Sequence, residues 1–246
     1  MYPDDTHTHL INSHRIYPAM KLAALFSGGK DSTYAAHLAE KGGHEVSIFA
    51  CMRPARGDSY MFHGVNIHLT PLLAEAQGKP LASAPSSGEK EKEVDELKRL
   101  IELLDVKGVV SGAIASKYQW DRVNKICTDL GITHLSPLWG KDPQELLEAE
   151  IKSGMEIIMV HAAANGLDRN WLGRRIDMEA AAELAKLSER YGINVCGEGG
   201  EYESLVIDAP WFGKRLVIEA SEVVWEGTSG TYAVKGAHLA PKAHKG

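Results

Sequence analysis

Long apolar runs are missing from this 246-residue chain. No stretch approaches the roughly 20 residues that cross a bilayer as a helix, and the start has neither a basic n-region nor an apolar h-region. No membrane partner is therefore expected, and the expected location is cytoplasmic. Cysteine is scarce as well: Cys51, Cys127 and Cys196 are odd in number, far apart and without a Cys-x-x-Cys pair. That excludes a disulfide framework and gives no zinc signature, and it suits a reducing compartment. Positive charge is not in excess, since 27 Lys and Arg oppose 33 Asp and Glu for a net charge of -6. General attraction to nucleic acid is not expected. Nor is there a Gly-x-x-x-x-Gly-Lys-Ser/Thr string, so the γ-phosphate chemistry of kinases and GTPases is not implied.

What is present is an ordinary globular composition, 44% hydrophobic, on a chain long enough for one large core or two modest ones. Residues 1–19 are polar and aperiodic and read as a disordered leader or extension; their histidines His7, His9 and His14 receive no role. From Lys21 onward, short β-rich runs at Lys21 to Phe26, His44 to Cys51, Pro80 to Ala84, Lys107 to Ser111 and Thr133 to Pro137 alternate with helical segments. Such alternation predicts an α/β unit with a parallel sheet. Val94, Leu97, Ile101 and Leu104 recur at helical spacing and predict a helix that covers the sheet, with the charged run Glu89 to Glu93 on its solvated side. The pattern changes near Trp139 to Lys141. Helices from about Pro143 to Ser153 and Glu179 to Tyr191, a β run at Glu156 to Val160, and antiparallel-type strands at Glu203 to Ile207, Arg215 to Glu219 and Ser221 to Trp225 follow. The expected organisation is residues 20–139 as one domain and 140–241 as a second, smaller α/β domain.

Chemistry concentrates in Ser27-Gly28-Gly29-Lys30-Asp31-Ser32, which follows the first strand and opens a helix. Glycines without Cβ atoms let a ligand reach the backbone, and the amides of the loop and helix start converge on an anion. The Ser27 and Ser32 hydroxyls add donors, and Lys30 is expected to carry positive charge to phosphate oxygens. A bare Gly-Gly turn between strand and helix is common; the whole string is not. It resembles the pyrophosphate-binding loop of the N-type ATP pyrophosphatases, a resemblance that implies cleavage between the α- and β-phosphates of ATP on a fold like that of adenine nucleotide α-hydrolases.

Three further segments narrow the resemblance. Ser59-Tyr60-Met61-Phe62-His63 follows the second strand, on the ligand side of an α/β sheet, and His63 titrates near neutrality. Ser111-Gly112-Ala113-Ile114-Ala115-Ser116-Lys117-Tyr118-Gln119, with Arg122, starts where the fourth strand ends; Arg122 suits a phosphate or carboxylate as well as it suits a surface ion pair. Cys196-Gly197-Glu198-Gly199-Gly200-Glu201-Tyr202-Glu203-Ser204 sets two acids around glycines. By composition that string is a solvated acidic turn or a cation or magnesium site.

Together, from about Lys21 to Phe212, these strings resemble the diphthine–ammonia ligase family, the last string being the one that points there. The resemblance implies ATP and Mg2+ as cofactors, ammonium and diphthine-modified translation elongation factor 2 as substrates, and a compact form that takes free ammonium directly. It further implies that Ser27, Gly28, Gly29, Lys30, Asp31, Ser32, Ala50 and Gly112 hold the nucleotide and that Lys30, Asp31, His63 and Arg122 are catalytic. Tyr118, Gln119, Trp139, Glu198, Gly199, Gly200, Glu201 and Tyr202 are assigned to the substrate. The two acids would receive the trimethylammonium side chain of diphthine, or alternatively magnesium. A related enzyme acting on tRNA or a small metabolite, and a nucleotide-binding module without turnover, are the competing readings. Oligomeric state stays open, a homo-oligomer included.

Overall fold

The computed structural model describes residues 18–54 and 64–242. Five parallel strands form the first sheet: β1 (Lys21–Leu25), β2 (Glu45–Pro54), β3 (Leu81–Ser86), β4 (Gly108–Val110) and β5 (Thr133–Leu135), in the order β3-β2-β1-β4-β5. Parallel strands need crossovers, and four helices supply them: α1 (Lys30–Lys41), α2 (Thr70–Ala76), α3 (Lys92–Glu102) and α4 (Lys117–Leu130). The chain moves outward from β1 to β3 and then returns to β4 on the other side. Strand order reverses between β1 and β4, so their carboxyl ends flank the crevice where open α/β sheets receive ligands.

After α5 (Pro143–Lys152) a second sheet is antiparallel: β6 (Glu156–Ala162), β7 (Tyr202–Asp208), β8 (Lys214–Glu226) and β9 (Ser229–Pro241), in the order β7-β6-β9-β8. α6 (Met178–Tyr191) precedes β7 and packs on α5. Side-chain caps start both helices, Asp142 accepting from the amides of Gln144 and Glu145, and Asp177 from that of Ala180.

The expected stripe on α3 is present, with Leu97 and Ile101 buried against Val109 of β4 and Val123 and Ile126 of α4. Glu93 departs from the expectation of a solvated charge run, for it is fully buried on the inner side of α3. Two expected strands, at Arg215 to Glu219 and Ser221 to Trp225, are one 13-residue strand whose register slips between Ile218 and Ser221. A bulge interrupts the alternation there without ending the pairing. β9 and α2 had no counterpart in the sequence reading: β9 is rich in Ala and Gly, which mute alternation, and α2 is only seven residues long. The two sheets share a core. Phe26, Ala35 and Leu73 from the first unit and Leu205, Phe212 and Leu216 from the second belong to one buried cluster. No helix among the described residues is long and apolar enough to cross a membrane.

Candidate functional site

The loop 27–32 leaves the carboxyl end of β1 and turns at once into α1. Gly28 has φ +82°, a left-handed conformation that side chains with a Cβ rarely adopt, and a Cβ there would meet Leu73 Cδ1 at 2.6 Å. Gly29 stands at the N-cap of α1 without a side-chain cap, and beyond Lys30, whose amide is taken by Ser204, the amides of Asp31 and Ser32 are left for a ligand. The hydroxyls tie the loop to itself: Ser27 Oγ accepts from the Gly29 amide at 3.3 Å, and Ser32 Oγ donates to the Gly29 carbonyl at 3.1 Å.

Two other segments hold this loop in place. The outer edge of β7 reaches it, the Val206 amide donating to the Gly28 carbonyl at 2.9 Å and the Lys30 amide to Ser204 Oγ at 3.2 Å. On the other flank the turn after β4 presses against it so closely that a Cβ on Gly112 would meet the Asp31 carbonyl carbon and the Ser32 amide nitrogen at 2.8 Å. These contacts enclose a cavity which, with its open mouth, contains about 1250 Å³ of empty space. Ser27, Gly29, Asp31 and Ser32 form its polar end; Phe26, Ala50, Met52, Val65, Ile67 and Val123 make an apolar wall; Cys196, Gly197, Glu198, Gly200 and Tyr202 to Ser204 close the third side. Apolar slot and amide-lined end together match the two ends of a nucleoside polyphosphate.

Of the residues expected from sequence, Ser27, Gly29, Asp31, Ser32, Ala50, Gly112, Gln119, Glu198, Gly200 and Tyr202 line this cavity, while Gly28 shapes the loop from behind. Lys30 does not reach the cavity. Its ammonium is fully buried beneath the loop, 2.6 Å from Asp31 Oδ1 and 3.5 Å from Glu150 Oε2 of α5. Burial opposes its charge, but the carboxylates of Asp31 and Glu150 outweigh burial and hold its pKa well above the ordinary lysine value. The expected phosphate contact is thus replaced by a structural ion cluster.

Arg122 is also elsewhere. It pairs with Glu91, and its guanidinium stacks 3.4 Å over the ring of Tyr118, which takes both residues out of the lining. Trp139 packs on Trp120 with ring centroids 5.4 Å apart, too close for a cation to enter between them. The acids of the glycine-rich string accept from backbone amides. Glu201 accepts from the amides of Asn194 and Gly199, at 2.9 and 2.8 Å, and neither Glu201 nor Gly199 lines the cavity. Glu198 Oε1 accepts from three successive amides, Ile114, Ala115 and Ser116, at 3.3, 3.0 and 2.8 Å, at the entry to α4. A carboxylate at a helix start satisfies donors that would otherwise have no acceptor, which gives these acids a structural task, while Glu198 also lines the cavity. His63, with the rest of Ser59 to His63, lies outside the described residues.

Ser111 and Ser204, within the quoted strings, and Glu150 and His134, outside them, are given no role by the sequence. Ser111 lines the cavity, and its Oγ is 2.9 Å from His134 Nε2, which is also 3.0 Å from Ser136 Oγ. Burial lowers the His134 pKa to about 4, so the ring is neutral at pH 7. No signal in the sequence joins residues that lie 23 positions apart, one just past β4 and the other on β5.

Comparison with known proteins places both halves of the chain. A family model described as the diphthamide synthase N-terminal domain matches residues 20–134, and one described as the diphthamide synthase C-terminal domain matches residues 142–240. The chain is 38% identical over 228 residues to the diphthine–ammonia ligases of Bos taurus and Homo sapiens, a match covering 83% of this chain and 85% of each relative. The diphthine–ammonia ligase of Schizosaccharomyces pombe is 38% identical over 231 residues, 86% of this chain but 38% of that relative. A solved structure from Methanocaldococcus jannaschii, described as a predicted subunit of tRNA methyltransferase, covers 78% of this chain and 98% of its own at 18% identity, with a TM-score of 0.42. That likeness is too distant to bear on function.

Proposed function

Because the chain belongs to the diphthine–ammonia ligase family, we propose that it joins ammonium to the carboxylate of diphthine on translation elongation factor 2, using ATP and releasing AMP and pyrophosphate. The observation that carries this reading is the position of the phosphate loop. It stands at the switch point of the parallel sheet and faces a cavity walled by both family-matched halves.

In this reading the apolar wall takes the adenine, and the amides of Asp31 and Ser32, with the Ser27 and Ser32 hydroxyls, take the phosphates. A diphthine carboxylate oxygen bonds to the α-phosphorus as the bond to the β-phosphate oxygen breaks; ammonia then bonds to the acyl carbon, loses a proton, and AMP leaves. Residues of the chain act on this sequence mainly by position. Gly112 lets the β4–α4 turn close on the loop, and Glu198 holds that turn by three amides. Magnesium fits as a companion of the nucleotide. Among the described residues no three His, Cys, Asp or Glu side chains gather into a site of their own, and Asp31 is the loop's carboxylate at the phosphate end. Asp31 and phosphate oxygens would hold the ion, whose charge would offset that of the departing pyrophosphate. A soluble elongation factor as substrate puts the activity in the cytoplasm.

Incubated with ATP, ammonium and diphthine-modified elongation factor 2, the protein should yield AMP, pyrophosphate and amidated factor in equal amounts. ADP and orthophosphate as the sole nucleotide products overturn the reading.

A further inference from the structure

Beneath the phosphate loop lies a charge cluster that the reaction as drawn does not use. Glu150 of α5 is fully buried, and neither of its carboxylate oxygens has a hydrogen-bond partner among the described residues. Such a group is costly to keep in a core, where an apolar side chain of similar volume would be cheaper. Burial pushes its pKa well above the ordinary carboxylate range; the ammonium of Lys30, 3.5 Å away, opposes that shift and the nearby Asp31 carboxylate adds to it, so Glu150 serves Lys30 as an acceptor whether or not it carries a full charge. That ammonium in turn holds Asp31 Oδ1 at 2.6 Å, and Asp31 lines the phosphate end of the cavity. The ring of Tyr202, from β7, faces the same ammonium with its centroid 5.8 Å away.

The chain of contacts therefore runs from α5 in the second unit, through Lys30, to the carboxylate that meets the nucleotide. The geometry points to Glu150 as a positioning residue: it draws the Lys30 ammonium down beneath the loop, so that Lys30 grips Asp31 from below and fixes its carboxylate at the cavity wall. Three features make this more than a buried ion pair. Lys30 interrupts a loop whose neighbours Gly29, Asp31 and Ser32 all face the cavity, yet it faces the opposite way. The two carboxylates that hold it come from different units of the fold. And the amide of Lys30 is bonded to Ser204, so the residue is fixed to the second unit at its backbone as well as at its tip. Nucleotide placement thus depends on the docking of the second unit, although Glu150 touches no ligand.

The inference rests on the nucleotide site proposed above, so its test reads magnesium–ATP affinity by calorimetry, without the protein substrate. Wild type that binds no magnesium–ATP would remove the nucleotide reading itself and this inference with it. Given wild-type binding, Glu150→Leu, which fills the volume and removes the acceptor, should weaken magnesium–ATP about tenfold while the circular dichroism spectrum is unchanged. Glu150→Gln, whose carbonyl still accepts from Lys30, should stay within about threefold of wild type. The decisive readout is coupling. Lys30→Met should cost about as much as Glu150→Leu, and Lys30→Met/Glu150→Leu should be no worse than Lys30→Met alone, because both changes cut one chain of contacts. If the two residues act on affinity independently, their losses multiply in the double variant, and this overturns the inference. So does wild-type affinity in folded Glu150→Leu. Should Glu150→Leu not fold, Lys30→Met and the double variant, in which no ammonium is stranded, carry the test. Equal losses in the two support the inference, and wild-type affinity in either overturns it.

Discussion

Two glycine-rich segments meet at the cavity, and they serve it in opposite ways. In 27–32 the glycines clear side chains from the backbone so that the amides of Asp31 and Ser32 stay open toward a ligand, while those of Ser27, Gly29 and Lys30 are taken by serine hydroxyls. In 196–204 the acids between the glycines serve backbone instead, accepting five amide hydrogen bonds, three to Glu198 from the turn at 114–116 and two to Glu201 from Asn194 and Gly199. The first segment is open to the cavity and the second is a brace for it. The distinction matters because, in sequence, both have the composition of a ligand-contacting loop.

The sharpest way to break this comparison is to add one methyl group to each side. Gly112→Ala places a Cβ 2.8 Å from the backbone of Asp31 and Ser32, and backbone cannot swing aside. Turnover should fall on the order of 100-fold, the loss that a displacement of about 1 Å at a reacting site can bring. Gly199→Ala meets only the carboxylate end of Glu201, at 2.8 Å, which can rotate, so turnover should stay within about threefold of wild type. Equal effects in the two variants, measured as amidation rate, would mean that both loops contact substrate.

How far the sequence could be read follows the same division. Regular alternation exposed the parallel sheet, and the string 27–32 exposed the phosphate end, because both are local patterns with a local physical cause. The direction of Lys30 was not legible. Nothing within the loop distinguishes a lysine aimed at phosphate from one drawn down by a carboxylate 120 positions later, and Glu150 sits in a helix whose other charges are ordinary surface ones. For the same reason Arg122 read equally well as a ligand contact and as a surface pair until Glu91 and Tyr118 were placed beside it. A bulge in β8 and the small residues of β9 concealed the long hairpin, since alternation is the only strand signal the sequence carries there.

Acid should affect the first unit through His134. Its pKa is lowered by burial to about 4 from an ordinary 6.5, so the folded state takes up this proton less readily than the unfolded chain. The resulting stability is fully present above about pH 6.5 and is lost as pH falls toward 4, with a limit of about 3 kcal/mol from this group. Urea melts at pH 7 and pH 5 should show the loss, and His134→Gln should flatten it. An equal slope in the variant would assign the acid sensitivity to other groups.

Glu198→Gln tests the brace. The Gln carbonyl still accepts, but the charge that strengthens three amide bonds at the entry to α4 is gone. Stability should fall by about 1–2 kcal/mol, with magnesium–ATP affinity changed less than by Gly112→Ala. If instead the fold is unaffected and only capture of diphthine-modified elongation factor is lost, Glu198 receives the substrate cation and the brace is secondary.

The smallest effect belongs to Tyr202, where the two regions touch. Tyr202 lines the cavity and its buried ring faces the Lys30 ammonium, while its hydroxyl, pushed by burial well above the ordinary tyrosine range, donates to the Val195 carbonyl at 2.7 Å. The hydroxyl therefore holds the brace, and the ring supports the floor of the phosphate loop. Tyr202→Phe keeps the ring and leaves one carbonyl without its donor, a loss of about 1 kcal/mol in stability with turnover close to wild type. Tyr202→Leu removes the aromatic face from the ammonium as well, and turnover should fall further than the loss of the hydroxyl accounts for. Thermal melts and amidation rates on the two variants separate these contributions. A Tyr202→Phe protein of wild-type stability but impaired turnover would show that the hydroxyl serves the reaction rather than the segment that carries it.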